Sequence, residues 1–157
     1  MDSSATIIGI IIALIIIIPI YLMIRSQSVF KKKIKGIKDY YSRNNHFTFG
    51  QTETQNKKVL ALDPKNKAFL LIDFNVEPEQ VSFIDLNEVS SCKLVPTTEG
   101  NSNTIIKLDF EFALKNSGNQ SITFYNIDHD QIGQVYLYQD HQLAKKWTRI
   151  LQEVILR

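Results

Sequence analysis

Residues 104–114, T-I-I-K-L-D-F-E-F-A-L, carry the plainest structural signal in the chain. Ile106, Leu108, Phe110, Phe112 and Leu114 alternate with Lys107, Asp109 and Glu111. A period of two sends one set to a buried face and the other to water, so the spacing predicts a half-buried β-strand. Residues 115–120, K-N-S-G-N-Q, turn the chain, and residues 121–126 return it with Ile122 and Phe124 inward. Upstream, residues 89–95 read as a strand closed by a polar loop over 96–103, and residues 81–86 as another. Residues 59–62 and 68–74 are apolar runs joined by Asp63-Pro64-Lys65-Asn66-Lys67. Pro presets a turn dihedral there and Asp and Asn favour the turn, which makes the pair a hairpin. Short connections between successive strands imply an antiparallel meander of six or seven strands.

The period changes at the C-terminal end. Over residues 140–156, Leu143, Trp147, Ile150, Leu151 and Val154 fall on one helical face, with Lys145, Lys146, Arg149 and Glu153 away from it. This is the pattern of an amphipathic helix, with Asp140 as the expected N-cap and the single Trp as its largest apolar anchor.

The N-terminal end follows another rule. Residues 5–24 read A-T-I-I-G-I-I-I-A-L-I-I-I-I-P-I-Y-L-M-I, without a charge, and thirteen of the eighteen positions from 7 to 24 are Ile or Leu. Twenty helical residues span about 30 Å, the hydrocarbon thickness of a bilayer. A transmembrane helix is expected, with Pro19 tolerated inside it. Residues 1–4 lack the basic n-region of a secretory signal, and no small-x-small cleavage site follows, so the segment is expected to be retained. Arg25, Lys31, Lys32, Lys33, Lys35, Lys38 and Arg43 all follow the span. Because basic flanks stay on the cytoplasmic side, a single-pass cell-membrane protein is expected, N-terminus outside and C-terminal domain in the cytoplasm.

Charge divides the chain in the same way. Residues 25–44 carry a net +6, whereas residues 45–157 carry a net −3. An acidic domain argues against a nucleic-acid partner. Between span and domain, Phe30, Ile34, Ile37 and Tyr41 form an apolar helical stripe flanked by lysines. Two placements stand open for this basic helix over residues 25–45. Either it lies on the inner leaflet, with Arg25, Lys31, Lys32, Lys33, Lys35 and Lys38 at the lipid surface, or it continues the anchor as a stalk. Residues 46–57 read as a linker with one edge strand, and residues 58–157 as the single domain that the remaining length can build.

In element order, residues 57–156 resemble the pleckstrin-homology superfold, and small bacterial membrane proteins carrying such a domain behind a transmembrane helix are the nearest analogy. The resemblance rests on the 59–74 hairpin, the meander through Asn126, and Leu143, Trp147, Ile150, Leu151 and Val154 as the helical plug. It implies an α+β fold in which two near-orthogonal sheets form a partly open barrel closed at one end by the C-terminal helix. Phosphoinositide binders of that superfold place a K-x(n)-R-x-R pattern on the first hairpin. This chain has Lys57, Lys58, Lys65 and Lys67 there, no arginine, and Asp63 and Asp73 beside them, so specific inositol-phosphate binding is not expected.

Catalytic patterns are sparse. Asp128-His129-Asp130 reads as a loop histidine between solvated acids, because neighbours in an extended segment point apart, and Asp140-His141 reads as a helix start. His46 has no ligand-like spacing to either. Cys92, the single cysteine, reads as a buried inert thiol. Asp109 and Glu111 share a strand face with Lys107 and read as solvated. The six glycines are scattered, G-x-S-x-G, H-E-x-x-H and P-loop patterns do not occur, and the sequon Asn119-Gln120-Ser121 would lie in the cytoplasm. The expected function is a membrane-tethered, non-enzymatic binding or scaffolding module, without cofactor or metal, whose ligand is a protein met at a sheet edge or open barrel end. A structural subunit of a larger membrane assembly, including self-association, is the alternative.

Overall fold

The computed structural model describes residues 3–42, 44–100, 103–116, 118–129 and 134–157, with the side chains of 3–6 and 9 left aside. The basic residue Arg43, the loop positions Asn101 and Ser102, the turn residue Ser117 and Asp130 of the Asp-His-Asp triplet lie outside the described residues, as do Met1 and Asp2 of the N-terminal tail. The chain divides into two units, Met1–Tyr40 and Tyr41–Arg157.

The first unit is helical. Helix α1, Ser3–Tyr41, runs 39 residues without interruption and carries Pro19 inside it. Its stretch Ile10–Tyr41 is long and apolar enough to cross a membrane, with a mean hydropathy of 2.2 over its most apolar window and none of that window buried. The basic segment, for which a surface helix and a continuation of the anchor both stood open, is continuous with the apolar run in one helix up to Tyr41. Ser42 begins a turn, and Asn44 and Asn45 both take positive φ there, as Asn does more readily than most residues.

The second unit is α+β. Strands β1 (Gln51–Gln55), β2 (Lys58–Asp63), β3 (Ala68–Asp73) and β4 (Gln80–Asp85) form one antiparallel sheet in sequence order. A 3-10 turn, Leu86–Glu88, leads into a second antiparallel sheet of β5 (Val89–Thr98), β6 (Ile105–Leu114) and β7 (Asn119–Asn126). Helix α2, Leu137–Leu156, completes the unit. Seven strands in two separate open sheets correct the expectation of a barrel: neither sheet closes on itself, and no ladder joins them among the described residues.

The β1–β2 hairpin turns through Asn56 and Lys57, both at positive φ, the conformation of a two-residue turn whose twist matches its strands. Strands β2 and β3 are buried along their whole length, as continuous apolar runs require when both sheet faces are covered. Leu60, Leu62, Phe69 and Leu71 belong to the main core. Val59, Ala61, Leu70 and Ile72 alternate with them and are equally inaccessible. Phe83, which pairs with Leu70, meets Tyr41 and Phe47 at ring-centroid distances of 5.8 and 5.4 Å. Phe47 and Phe49 are buried, so the stretch read as a linker contributes core side chains.

The main core lies between the sheets and α2. Trp147 sits 5.9 Å from Phe69, and Phe110 contacts Phe69, Phe112 and Phe124. Leu143, Leu151 and Val154 are buried in this cluster and Ile150 packs against its margin. A register shift, with Leu108 paired to Tyr125 and Asp109 to Thr123, inserts one extra residue in β7. Such a bulge reverses the alternation. Tyr125 is thereby buried together with Phe124, which strict alternation would not allow.

Strand β5 extends through Pro96 to Thr98, beyond the expected loop start. It is an edge strand, the place in a sheet where proline is tolerated. Gln152 Nε2 of α2 donates to the Cys92 carbonyl at 2.8 Å, which attaches the helix to that strand.

Candidate functional site

The inner face of the first sheet becomes polar at one end. Register places Gln55, Lys58, Asp73 and Gln80 in one transverse row. Asp140 of α2 meets this row, although the sequence made it an N-cap. The helix starts at Leu137, so Asp140 lies within its first turn, and the carboxylate is wholly buried instead of capping from outside. Lys58 Nζ donates to Asp140 Oδ2 at 2.7 Å and Asn56 Nδ2 donates to Oδ1 at 2.8 Å. The ammonium also lies 5.6 Å from the Phe124 ring centre and 5.8 Å from that of Tyr125, within cation–π range. Asn75 secures the hairpin behind them, donating from Nδ2 to the Asn56 carbonyl and to Asp73 Oδ1 at 2.9 and 2.8 Å.

These side chains border a cavity of about 20 Å³, with Tyr125, Asn126, His129 and Tyr136 closing it. That volume holds about one water molecule. The ammonium and the carboxylate are directed at each other, so the cluster is arranged to fasten α2 to the sheet. His129 lines this same cavity with Asp73 and Asp140.

A second surface opens between β1 and α2. Glu53, Gln55, Tyr138, Gln142 and Lys146 line a shallow groove of about 310 Å³, with Tyr138 74% exposed. Glu53 straddles its floor: one carboxylate oxygen accepts from Trp147 Nε1 at 2.8 Å, and Lys146 Nζ contacts both oxygens at 2.8 Å. An edge strand beside an amphipathic helix can receive an extended segment through main-chain and amide contacts.

Comparison with family models, curated proteins and solved structures gives no match.

Arg25, Lys31, Lys32, Lys33 and Lys35 are exposed on α1, and Lys38 is half-buried. Cys92 is buried, and desolvation pushes its thiol up to about 12, which keeps it protonated. Desolvation, and then repulsion from Lys145, holds the His141 imidazole below its usual value. Asp63, in the turn beside the hairpin lysines, is only 2% exposed. Burial alone would raise its carboxyl. The N–H groups of Thr48, Lys65 and Asn66 and the Asn66 amide, at 2.6 to 3.0 Å, outweigh that and hold it below the usual value. Asp73 is buried too, accepting from the Asn75 N–H at 2.8 Å. On the outer face of β6, Glu111 pairs with Lys93 and Asn119. Asp109 departs from the solvated reading: it is 8% exposed, with Oδ2 on Lys107 at 2.8 Å.

Proposed function

We propose that this chain is a single-pass, membrane-tethered binding module that presents a pleckstrin-homology-like domain at the cytoplasmic face and recognises a protein partner. The observation that carries the reading is the joining of an unburied apolar helix of membrane-crossing length to a separately packed α+β unit. Seven antiparallel strands followed by a C-terminal helix bearing a buried Trp is the element order expected of that superfold, which supports the likeness. The proposed docking region is the groove between β1 and α2, where amide side chains and the exposed Tyr138 flank an edge strand. A non-enzymatic role is supported by the mutual engagement of Lys58 and Asp140, the most deeply buried charges of the site. Positive residues after the span support the orientation with the domain inside.

Cross-linking in native membranes tests the module. A photo-reactive residue at Tyr138 is expected to trap a protein that the same probe at exposed Lys65 does not; equal yields at both positions would refute the groove. Reporter fusions at Arg157 test topology, and activity restricted to an exported reporter would reverse it.

A further inference from the structure

One face of α1 carries the apolar run into an open, lysine-bearing depression. Ile24, Gln27, Ser28, Lys31, Lys32 and Lys35 line it, all exposed, over a volume of about 390 Å³. Positions 24, 28, 31 and 35 recur at helical spacing on a single face. The apolar stripe of Phe30, Ile34, Ile37 and Tyr41 lies on another face of the same helix, and these side chains are half-buried. Lys31 stands seven residues past Ile24, about 10 Å along the axis, and a lysine stem can reach back toward the interface. The headgroup zone occupies roughly 5–8 Å on each side of the hydrocarbon.

We infer that this face seats the phosphate of an anionic phospholipid in the leaflet beside Ile24. Lys31 supplies the charge nearest the interface, with Lys32 and Lys35 at the rim, and Ser28 and Gln27 supply neutral donors. The occupant must be amphipathic, because Ile24 lines the same depression and Ile20, about one turn before it, is exposed as well. A free phosphate or a nucleic acid would leave that apolar end uncovered, whereas an acyl chain covers it. The inference rests on the membrane-tethered reading and adds to it a ligand class and a particular face.

The test uses the full chain in phosphatidylcholine bilayers containing spin-labelled phosphatidylglycerol or spin-labelled phosphatidylcholine, comparing the motionally restricted fraction of each. A lysine beside an anionic surface is worth about a fivefold preference. Preference for phosphatidylglycerol is expected at about that level or above, falling to near parity in K31Q/K35Q while K33Q/K65Q, which loses the same charge elsewhere, retains it. Equal losses in the two double variants, or no preference in the native chain, would overturn the seat while the chain remained in the bilayer. Recovery of the untreated chain in the aqueous fraction without detergent would overturn the membrane reading as well.

Discussion

Lys58 and Asp140, 82 positions apart, meet at 2.7 Å with their side chains 7% and 0% exposed. The contact joins the first sheet to a helix whose apolar face packs in the core shared with the second. Removing one partner leaves a buried charge without its counterion, which typically costs about 3–5 kcal/mol. The Lys58→Met variant is expected to lose stability in that range, and Lys58→Met/Asp140→Leu to recover most of it. Denaturant unfolding followed by Trp147 fluorescence reads both, and equal losses in single and double variants would contradict the pairing.

Glu53 holds two partners of unequal worth. Its link to Lys146 is largely exposed, the kind of pair that contributes about 0–1 kcal/mol, whereas its bond to Trp147 satisfies an indole N–H inside the unit. Glu53→Ala is expected to cost about 1–3 kcal/mol and to alter the indole emission, while Lys146→Ala changes stability by less than about 1 kcal/mol. The same unfolding titrations rank them, and a larger effect at Lys146 would reverse the assignment.

Acid should weaken the hairpin end of the first sheet. The folded Asp63 carboxyl is held below its unfolded value of about 3.9. Its contribution is therefore complete above that value and is lost as pH falls through the lower folded one. In unfolding midpoints taken downward from pH 5, native protein is expected to decline more steeply than Asp63→Asn. Parallel profiles would remove Asp63 from the acid response.

Cys92 offers a probe of opening. With its thiol pushed up to about 12 and buried, it is expected to resist thiol reagents in the folded protein at pH 8 and to react stoichiometrically after denaturation. Its labelling rate should rise in Gln152→Ala, which removes the donor on the Cys92 carbonyl. Rapid labelling of the native chain would place the thiol at the surface.

Much of the architecture was legible because it depends on period and composition. Twenty uncharged residues decide a long apolar helix wherever the domain lies, and the alternation from Ile106 to Leu114 decides a two-faced strand. The helical face of Leu143, Trp147, Leu151 and Val154 was legible for the same reason. Boundaries failed where one local signal met a stronger distant one. Asp140 looked like a cap because Asp suits that position, but α2 begins at Leu137 and its first turn needed a carboxylate for Lys58.

The residues by themselves determined an apolar rod, a basic collar and an antiparallel, strand-rich domain, since each follows from local period and composition. Tertiary structure alone decided that the strands divide four and three into open sheets, that a bulge buries Tyr125 beside Phe124, and that Asp63, Asp73 and Asp140 lie inside. The reason is physical: burying a carboxylate is tolerable only where donors converge on it. For Asp63 one of those donors is Thr48, fifteen residues away, and for Asp140 they are Asn56 and Lys58 of a distant hairpin, so folding is what brings them together.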